Sequence, residues 1–426
     1  GIRDAQESRG LGNVYKRQEL DYLYRASKEG RSFKNLMRYI CCQQNVELAY
    51  RRIKRNKGSR TSGTNKNTID DIAKLGTDKL VAYVKTRLDN YKPHSVRRVM
   101  IPKDNGKERP LGIPTIEDRL IQQCILQILE PICEAKFHKH SYGFRPNRKT
   151  HNAIARFSYL VYHAKLEYVV DIDIKGFFDN VNHAKLIKQM WSLGIRDKNL
   201  LSIISKLLKA PIVGEGVPKK GTPQGGILSP LLSNIVLNEL DWWISNQWET
   251  FPTRHPYKGS GDKYQALKRS SNLKEMYLVR YADDFKILCR NRKDAEKIKI
   301  AIEDWLKQRL KLETSPEKSK ITNLRKHYSE FLGFKLKIEE RPDRNVVISH
   351  MTDKAKKKVI DKLRTRIRNV KSNKQEVVKL NSAIRGMHNY YCTATRVSED
   401  FWEIYYILLP TLKPVSYTHL TLPTIA

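Results

Sequence analysis

Tyr277-Leu278-Val279-Arg280-Tyr281-Ala282-Asp283-Asp284-Phe285-Lys286-Ile287-Leu288 sets two adjacent carboxylates between short apolar runs. The runs predict two β-strands, with the acids at the tip of the hairpin between them. Two carboxylates at one tip repel each other and gain little from folding unless a cation sits between them. Asp oxygens suit a hard ion such as Mg2+. The plainer reading is a solvated Asp-Asp turn, since Asp tolerates turn geometry, and the stretch alone favours it.

A second acidic stretch upstream changes that balance. In Tyr168-Val169-Val170-Asp171-Ile172-Asp173-Ile174-Lys175-Gly176-Phe177-Phe178-Asp179, alternation predicts a strand with Val170, Ile172 and Ile174 on one face and Asp171 with Asp173 on the other. Two acids on one face of an otherwise apolar strand are costly without a cation. The flanking Val-Val and Phe-Phe pairs argue for burial. They count against the alternative of an amphipathic strand with one wet face. Phe177 and Phe178 put aromatic rings just past the strand end.

Asp173 with Phe178 and Asp179, then Gly221-Thr222-Pro223-Gln224-Gly225-Gly226-Ile227-Leu228-Ser229-Pro230-Leu231, then Tyr281-Ala282-Asp283-Asp284, resemble in order the motifs of a reverse transcriptase palm. Arg97-Arg98-Val99-Met100-Ile101-Pro102-Lys103, Arg109-Pro110-Leu111-Gly112-Ile113-Pro114 and His140-Ser141-Tyr142-Gly143-Phe144-Arg145-Pro146-Asn147-Arg148 resemble those of the group II intron-encoded reverse transcriptases, or maturases. Leu380-Asn381-Ser382-Ala383-Ile384-Arg385-Gly386-Met387-His388-Asn389-Tyr390-Tyr391 resembles the maturase thumb. The resemblance covers about residues 35 to 412.

Composition agrees with a nucleic-acid partner. The 81 Lys and Arg outnumber the 45 Asp and Glu, for a formal net charge of +36, and the excess runs along the whole chain. That describes an extended anion-binding surface; an anionic lipid surface is the competing partner. No segment approaches the roughly 20 apolar residues that span a bilayer and no signal peptide opens the chain, so a cytoplasmic, bacterial location is expected. Six cysteines without C-x-x-C spacing indicate neither a zinc site nor a disulfide framework, and are expected to be reduced and mostly buried.

Helical spacing predicts helices over about 33 to 90, broken by the polar loop Asn56 to Thr64. Short strands are expected from Val96 to Pro114 around a hairpin at Lys103-Asp104-Asn105-Gly106-Lys107. A helix follows from Asp118 to His138, with Leu120, Ile121, Cys124, Ile125, Ile128 and Leu129 on one face. Further helices are expected over Leu231 to Trp243 and Asp294 to Leu310, with an irregular insertion from Gln247 to Asn272, and the chain turns helical and strongly basic beyond Ser349.

The resemblance implies an α+β right-hand polymerase, with fingers and palm on a mixed or antiparallel sheet backed by helices, followed by a helical thumb or X domain. The implied divisions are a non-native tail at 1–18, a helical extension at 19–95, fingers and palm at 96–345, the thumb at 346–412, and a second non-native tail at 413–426. Both tails resemble translated adaptor scars, so the natural chain is expected to continue past Pro414. The family often adds DNA-binding and endonuclease regions after the thumb; neither shows in this sequence.

For the chemistry, the resemblance implies an RNA-directed DNA polymerase working with two Mg2+ ions about 4 Å apart, with Mn2+ as a substitute. Asp173, Asp283 and Asp284 are the expected catalytic acids and metal ligands, with Ile174 counted at the metal site and Asp171 behind it. Phe178, with Phe177 sharing the role, would exclude a 2′ hydroxyl, and Gln224 with Gly225 would lie along the nascent base pair. Lys103 and Arg109 would clamp the triphosphate, and Lys318 would protonate pyrophosphate. Arg145 and Arg148 would hold template phosphate, and Lys357, Arg364 and Arg368 would meet nucleic acid from the thumb. The implied partners are intron RNA, an RNA template with a DNA or RNA primer, deoxynucleotides and target DNA, without a membrane and with a homodimer left open. Two alternatives stand beside this reading: an RNA-binding splicing factor without effective polymerase activity, and a retron or defence-type reverse transcriptase.

Overall fold

The computed structural model describes residues 18–102, 106, 108–342, 345–370 and 374–419. The chain divides into two compact units, each built from three separated stretches. The first takes residues up to 147, 173–243 and 301–315; the second takes 148–172, 244–300 and everything from 316 onward.

In the first unit, helices Gln43–Lys54 and Ile69–Ala73 pack on α1 (Ile116–Glu134), and helix Thr77–Asp89 packs on Gln43–Lys54. Strands β1 (Arg97–Pro102) and β2 (Glu108–Ile113) pair antiparallel, Arg97 opposite Ile113 and Pro102 opposite Glu108. The expected hairpin turn at 103–107 lies, but for Gly106, outside the described residues. The six apolar residues expected on one face of α1 are each at most 1% exposed, but the helix is buried on most of its other sides as well. Tertiary hydrogen bonds make that affordable. Asp118 accepts from the Tyr91 hydroxyl at 2.8 Å and the His94 backbone N–H at 2.8 Å, Gln122 accepts from the Ile227 N–H at 2.8 Å, and Gln127 donates to Asn45 Oδ1 at 2.8 Å. None of these partners can be read from periodicity, because buried polar groups are satisfied from elsewhere in the fold.

The second unit holds a four-stranded sheet in the order β4 (Met276–Tyr281), β5 (Asp284–Cys289), β3 (Tyr168–Ile172), β6 (Lys320–Asn323), antiparallel throughout. Val170 and Ile172 are sealed at 0% and 1% exposure, whereas Asp171 between them is half-buried, as alternation requires. Helix Thr150–His163 packs on β4 and β5.

A second sheet, β7 (Ser329–Phe331), β8 (Phe334–Glu340) and β9 (Asn345–Met351), is also antiparallel. Helix was expected from Ser349, but β9 runs through Met351 before α2 (Asp353–Asn369) begins on its Thr352 N-cap. Helices α2, α3 (Lys374–Tyr391) and α4 (Val397–His419) share one apolar core with Met351, built around Leu363, Ile367, Leu380, Ile404 and Leu408.

The insertion expected to be irregular contains helix Ser260–Ser270. It is anchored by Tyr264, whose ring stacks on Trp248 at 5.7 Å between centroids. The helix expected over Asp294 to Leu310 is α-helical over Arg292–Trp305 and π-helical over Leu306–Leu310. Of the six free cysteines, Cys124, Cys133 and Cys289 are buried, Cys41 and Cys42 are half-buried and Cys392 is exposed, so burial is less complete than expected. Helix α4 continues through His419, past Pro414; the rest of the expected tails, 1–17 and 420–426, lies outside the described residues. No helix among the described residues is long and apolar enough to cross a membrane.

Candidate active site

Strands β4 and β5 meet at the acid hairpin with Tyr281 opposite Asp284, which leaves Ala282 and Asp283 as a two-residue loop. Ala282 takes a positive φ of 58°, a conformation uncommon outside glycine and costly for a side chain. Arg280 holds it there. Its side chain is 1% exposed, and Nη1 donates to the Ala282 carbonyl at 2.6 Å. Asp283 therefore projects as an exposed residue from a turn braced beneath it, and the Asp284 side chain is 45% exposed. Sequence reasoning passed over Arg280; a lone cation inside an apolar strand was the available signal.

It also passed over Lys286. The register sets Lys286 opposite Asp171, and its ammonium lies 2.5 Å from Asp171 Oδ2 and 3.8 Å from Asp284 Oδ1. The Lys286 side chain is 3% exposed. The cation that an acid-bearing strand requires is thus, for Asp171, supplied by the protein itself. Farther along β5, burial pushes the Cys289 thiol up to about 12, so it is an unreactive core group.

Asp173 follows the end of β3 and belongs to the first unit. There its carbonyl accepts from the Ser315 N–H at 2.8 Å, and the Lys175 N–H donates to Glu313 at 2.9 Å. Its side chain is half-buried. Ile174 is 6% exposed and offers a metal no side-chain donor; only its carbonyl oxygen could serve. Phe177 is 2% exposed and Phe178 is half-buried, with their rings edge to face at 5.3 Å. Of the two, Phe178 is the ring that reaches the surface.

The glycine-rich loop is stitched around Phe178. The Thr222 N–H donates to the Phe178 carbonyl at 2.7 Å, and the Gly221 N–H to Val181 at 2.8 Å. His183 Nε2 donates to the Gly221 carbonyl at 2.6 Å; burial pushes this histidine below its usual range, which keeps the ring neutral near pH 7. The Gln224 carbonyl accepts from the Gly112 N–H of β2 at 2.6 Å. Gly225 has φ 107°, and a Cβ there would lie 2.5 Å from the Gly112 carbonyl oxygen. Only glycine fits this approach.

Lys103 lies outside the described residues, and Arg109 is exposed on β2 opposite Ile101. Arg145, expected on template phosphate, is buried. Its guanidinium is 2% exposed and donates to both Glu134 carboxylate oxygens and to the carbonyls of His138 and Ser141 at 2.6 and 2.7 Å. It is an internal clamp whose planar fork is consumed within the fold. Arg148 is half-buried just before helix Thr150–His163, and Lys318 is exposed in the turn before β6.

On α2, Lys357 and Arg368 are exposed, and Arg364 is half-buried at 3.7 Å from Asp361. A different row, Lys354, Lys358 and Lys362, lines a cleft of about 600 Å3 together with Asp284, the Leu332-Gly333 turn, Tyr390 and Tyr391. These lysines recur every four residues and so share one helix face.

Among the described residues no three His, Cys, Asp or Glu side chains gather into a set able to hold a metal. The donor chemistry of the hairpin nevertheless fits one: Asp283 and Asp284 present carboxylate oxygens, hard donors suited to Mg2+ or Mn2+, to solvent.

Residues 101–336 match the family described as reverse transcriptase (RNA-dependent DNA polymerase). The chain is 30% identical to the group II intron-encoded protein LtrA of Lactococcus lactis subsp. cremoris, covering 91% of this chain and 75% of that protein. It is 33% identical to protein YkfC of Escherichia coli (strain K12), covering 71% of this chain and 82% of that one. It is 26% identical to the mitochondrial nuclear intron maturase 2 of Arabidopsis thaliana, covering 50% and 34%.

Proposed function

The chain belongs to the reverse transcriptases, the RNA-dependent DNA polymerases, in their group II intron-encoded branch, and on that premise we propose that it extends a primer on an RNA template with deoxynucleotides and binds its intron RNA to assist splicing and retrohoming. The observation that carries the reading is the acid hairpin. Arg280 clamps a strained turn so that Asp283 stands exposed at its tip, and strain held in place by surrounding structure is a mark of functional sites.

Asp173, Asp283 and Asp284 are the proposed catalytic acids and ligands for divalent ions, with the Ile174 carbonyl as a further donor. Such ions, when bound, activate the primer 3′ hydroxyl and neutralise the triphosphate. The hydroxyl oxygen gives up its proton to solvent and forms its bond to the α-phosphorus, while the bond from that phosphorus to the oxygen bridging to the β-phosphate breaks and pyrophosphate leaves. Lys318 gives the departing pyrophosphate a proton. Lys103 and Arg109 hold the triphosphate, Phe178 meets the sugar and rejects a 2′ hydroxyl, and Gln224 with Gly225 bring backbone against the new base pair. Arg148, Lys357, Arg364 and Arg368 hold nucleic-acid phosphates, and the lysine row Lys354, Lys358 and Lys362 extends that surface beside Asp284. Target DNA is the proposed substrate for insertion.

In this reading the helical extension spans 19–95, the fingers and palm 96–345, and the thumb 346–412. Extension of a labelled primer on an RNA template, with four deoxynucleotides and Mg2+, tests it. The expected product is full-length complementary DNA; RNA binding without extension would replace the reading with a maturase lacking effective polymerase activity.

A further inference from the structure

The ion pair beneath the acid hairpin has a consequence for the hairpin's cation chemistry. Alternation along β5 sets Asp284 and Lys286 on one face, and the register brings Asp171 directly across from Lys286. The Lys286 ammonium is withdrawn from water and meets three groups: Asp171 Oδ2 at 2.5 Å, Asp284 Oδ1 at 3.8 Å and the Phe331 ring at 5.6 Å from its centroid. A buried ammonium persists only where carboxylates and a ring face repay its desolvation.

We propose that Lys286 is a positioning residue that fixes how much of the carboxylate charge on this sheet face is left for a divalent cation. The inference rests on the reading of Asp283 and Asp284 as the cation-binding end of the hairpin. Lys286 neutralises Asp171, which keeps that acid out of the ligand set although it lies on the same strand face as its neighbours. It also draws one Asp284 oxygen toward itself. A fixed positive charge this close to the hairpin repels an arriving divalent ion. The site therefore binds more loosely than a bare acid pair and can exchange its ions between turnovers.

Opposite single substitutions must then move cation affinity in opposite directions. Lys286→Met adds one uncompensated negative charge and is expected to tighten Mn2+ binding about tenfold, read as free Mn2+ by electron paramagnetic resonance without nucleotide or primer. Asp171→Asn leaves the ammonium facing Asp284 alone and is expected to loosen binding by a similar factor. Lys286→Arg should keep the wild-type affinity. The double variant Asp171→Asn with Lys286→Met removes both charges, so the two opposite shifts cancel and affinity should return to within about threefold of wild type.

A purely structural role would lower melting temperature without this reversal of sign. If Lys286→Met fails to fold, Asp171→Asn and the double variant carry the test, since neither leaves an unpaired buried carboxylate. Variants that shift Mn2+ affinity in the same direction, or not at all, overturn the inference while leaving the cation site in place. Wild-type Mn2+ binding that is indifferent to Asp283→Ala overturns the cation-site reading itself.

Discussion

Gly225→Ala is the sharpest structural perturbation of the glycine-rich loop. The residue sits at φ 107°, where an L side chain costs about 1–3 kcal/mol. The new Cβ would approach the Gly112 carbonyl oxygen at 2.5 Å and Leu111 Cδ1 at 3.0 Å. The first obstacle is backbone in β2 and cannot rotate aside. Separating loop from strand also stretches the bond from the Gly112 N–H to the Gln224 carbonyl, worth about 0.5–1.5 kcal/mol. Together these give about 1.5–4.5 kcal/mol, appearing as lost stability where the loop stays in place and as lost activity where it shifts. A shift of about 1 Å costs on the order of 100-fold in rate. The assays are urea denaturation and RNA-templated primer extension, with Gly261→Ala as control. Gly261 lies in a helix with nothing within 4 Å of a built Cβ, so alanine there should be neutral or stabilise by up to about 1 kcal/mol. A Gly225→Ala protein that matches wild type in both denaturation midpoint and extension rate would refute the reasoning.

Arg145→Ala should destabilise the fold by about 3–5 kcal/mol, because it leaves Glu134 and two carbonyls without their buried partner; a variant of normal stability but weakened RNA binding would return Arg145 to the template. His94 is held above its usual range, chiefly by its hydrogen bond to Asp118. That stabilisation is therefore complete below the unfolded value of about 6.5 and is lost as pH rises through the higher folded value. The stability gap between wild type and His94→Gln should narrow as pH climbs from about 6 to 9, and a gap independent of pH would contradict it. RNA affinity should fall steeply with salt, and replacing Lys354, Lys358 and Lys362 with glutamine should reduce the slope of log affinity against log salt by about 2; an unchanged slope would remove the cleft from the nucleic-acid path.

The two acid-bearing strands were legible because period-two alternation is a local property, and Val170 and Ile172 are buried as it requires. Lys286 was not legible as the partner of Asp171, because the two are 115 residues apart in sequence and only the strand register joins them. The same limit explains Arg145, where a basic residue in a Gly-Phe-Arg-Pro stretch reads as a phosphate contact until Glu134, His138 and Ser141 close around it. Helix α1 looked amphipathic because its Asp, Gln and Arg residues find partners on other elements. Strand β8, where Lys335 and Lys337 alternate with buried Leu336 and Ile338, lies in a stretch between Phe334 and Ser349 for which no element was expected.

RNA-templated primer extension by the wild-type chain, alongside Asp283→Ala, tests the central claim most directly. Mg2+-dependent complementary DNA is expected from wild type and none from Asp283→Ala, with both proteins equally folded and binding RNA equally well. Extension that survives Asp283→Ala would contradict the assignment of the acid hairpin as the catalytic centre.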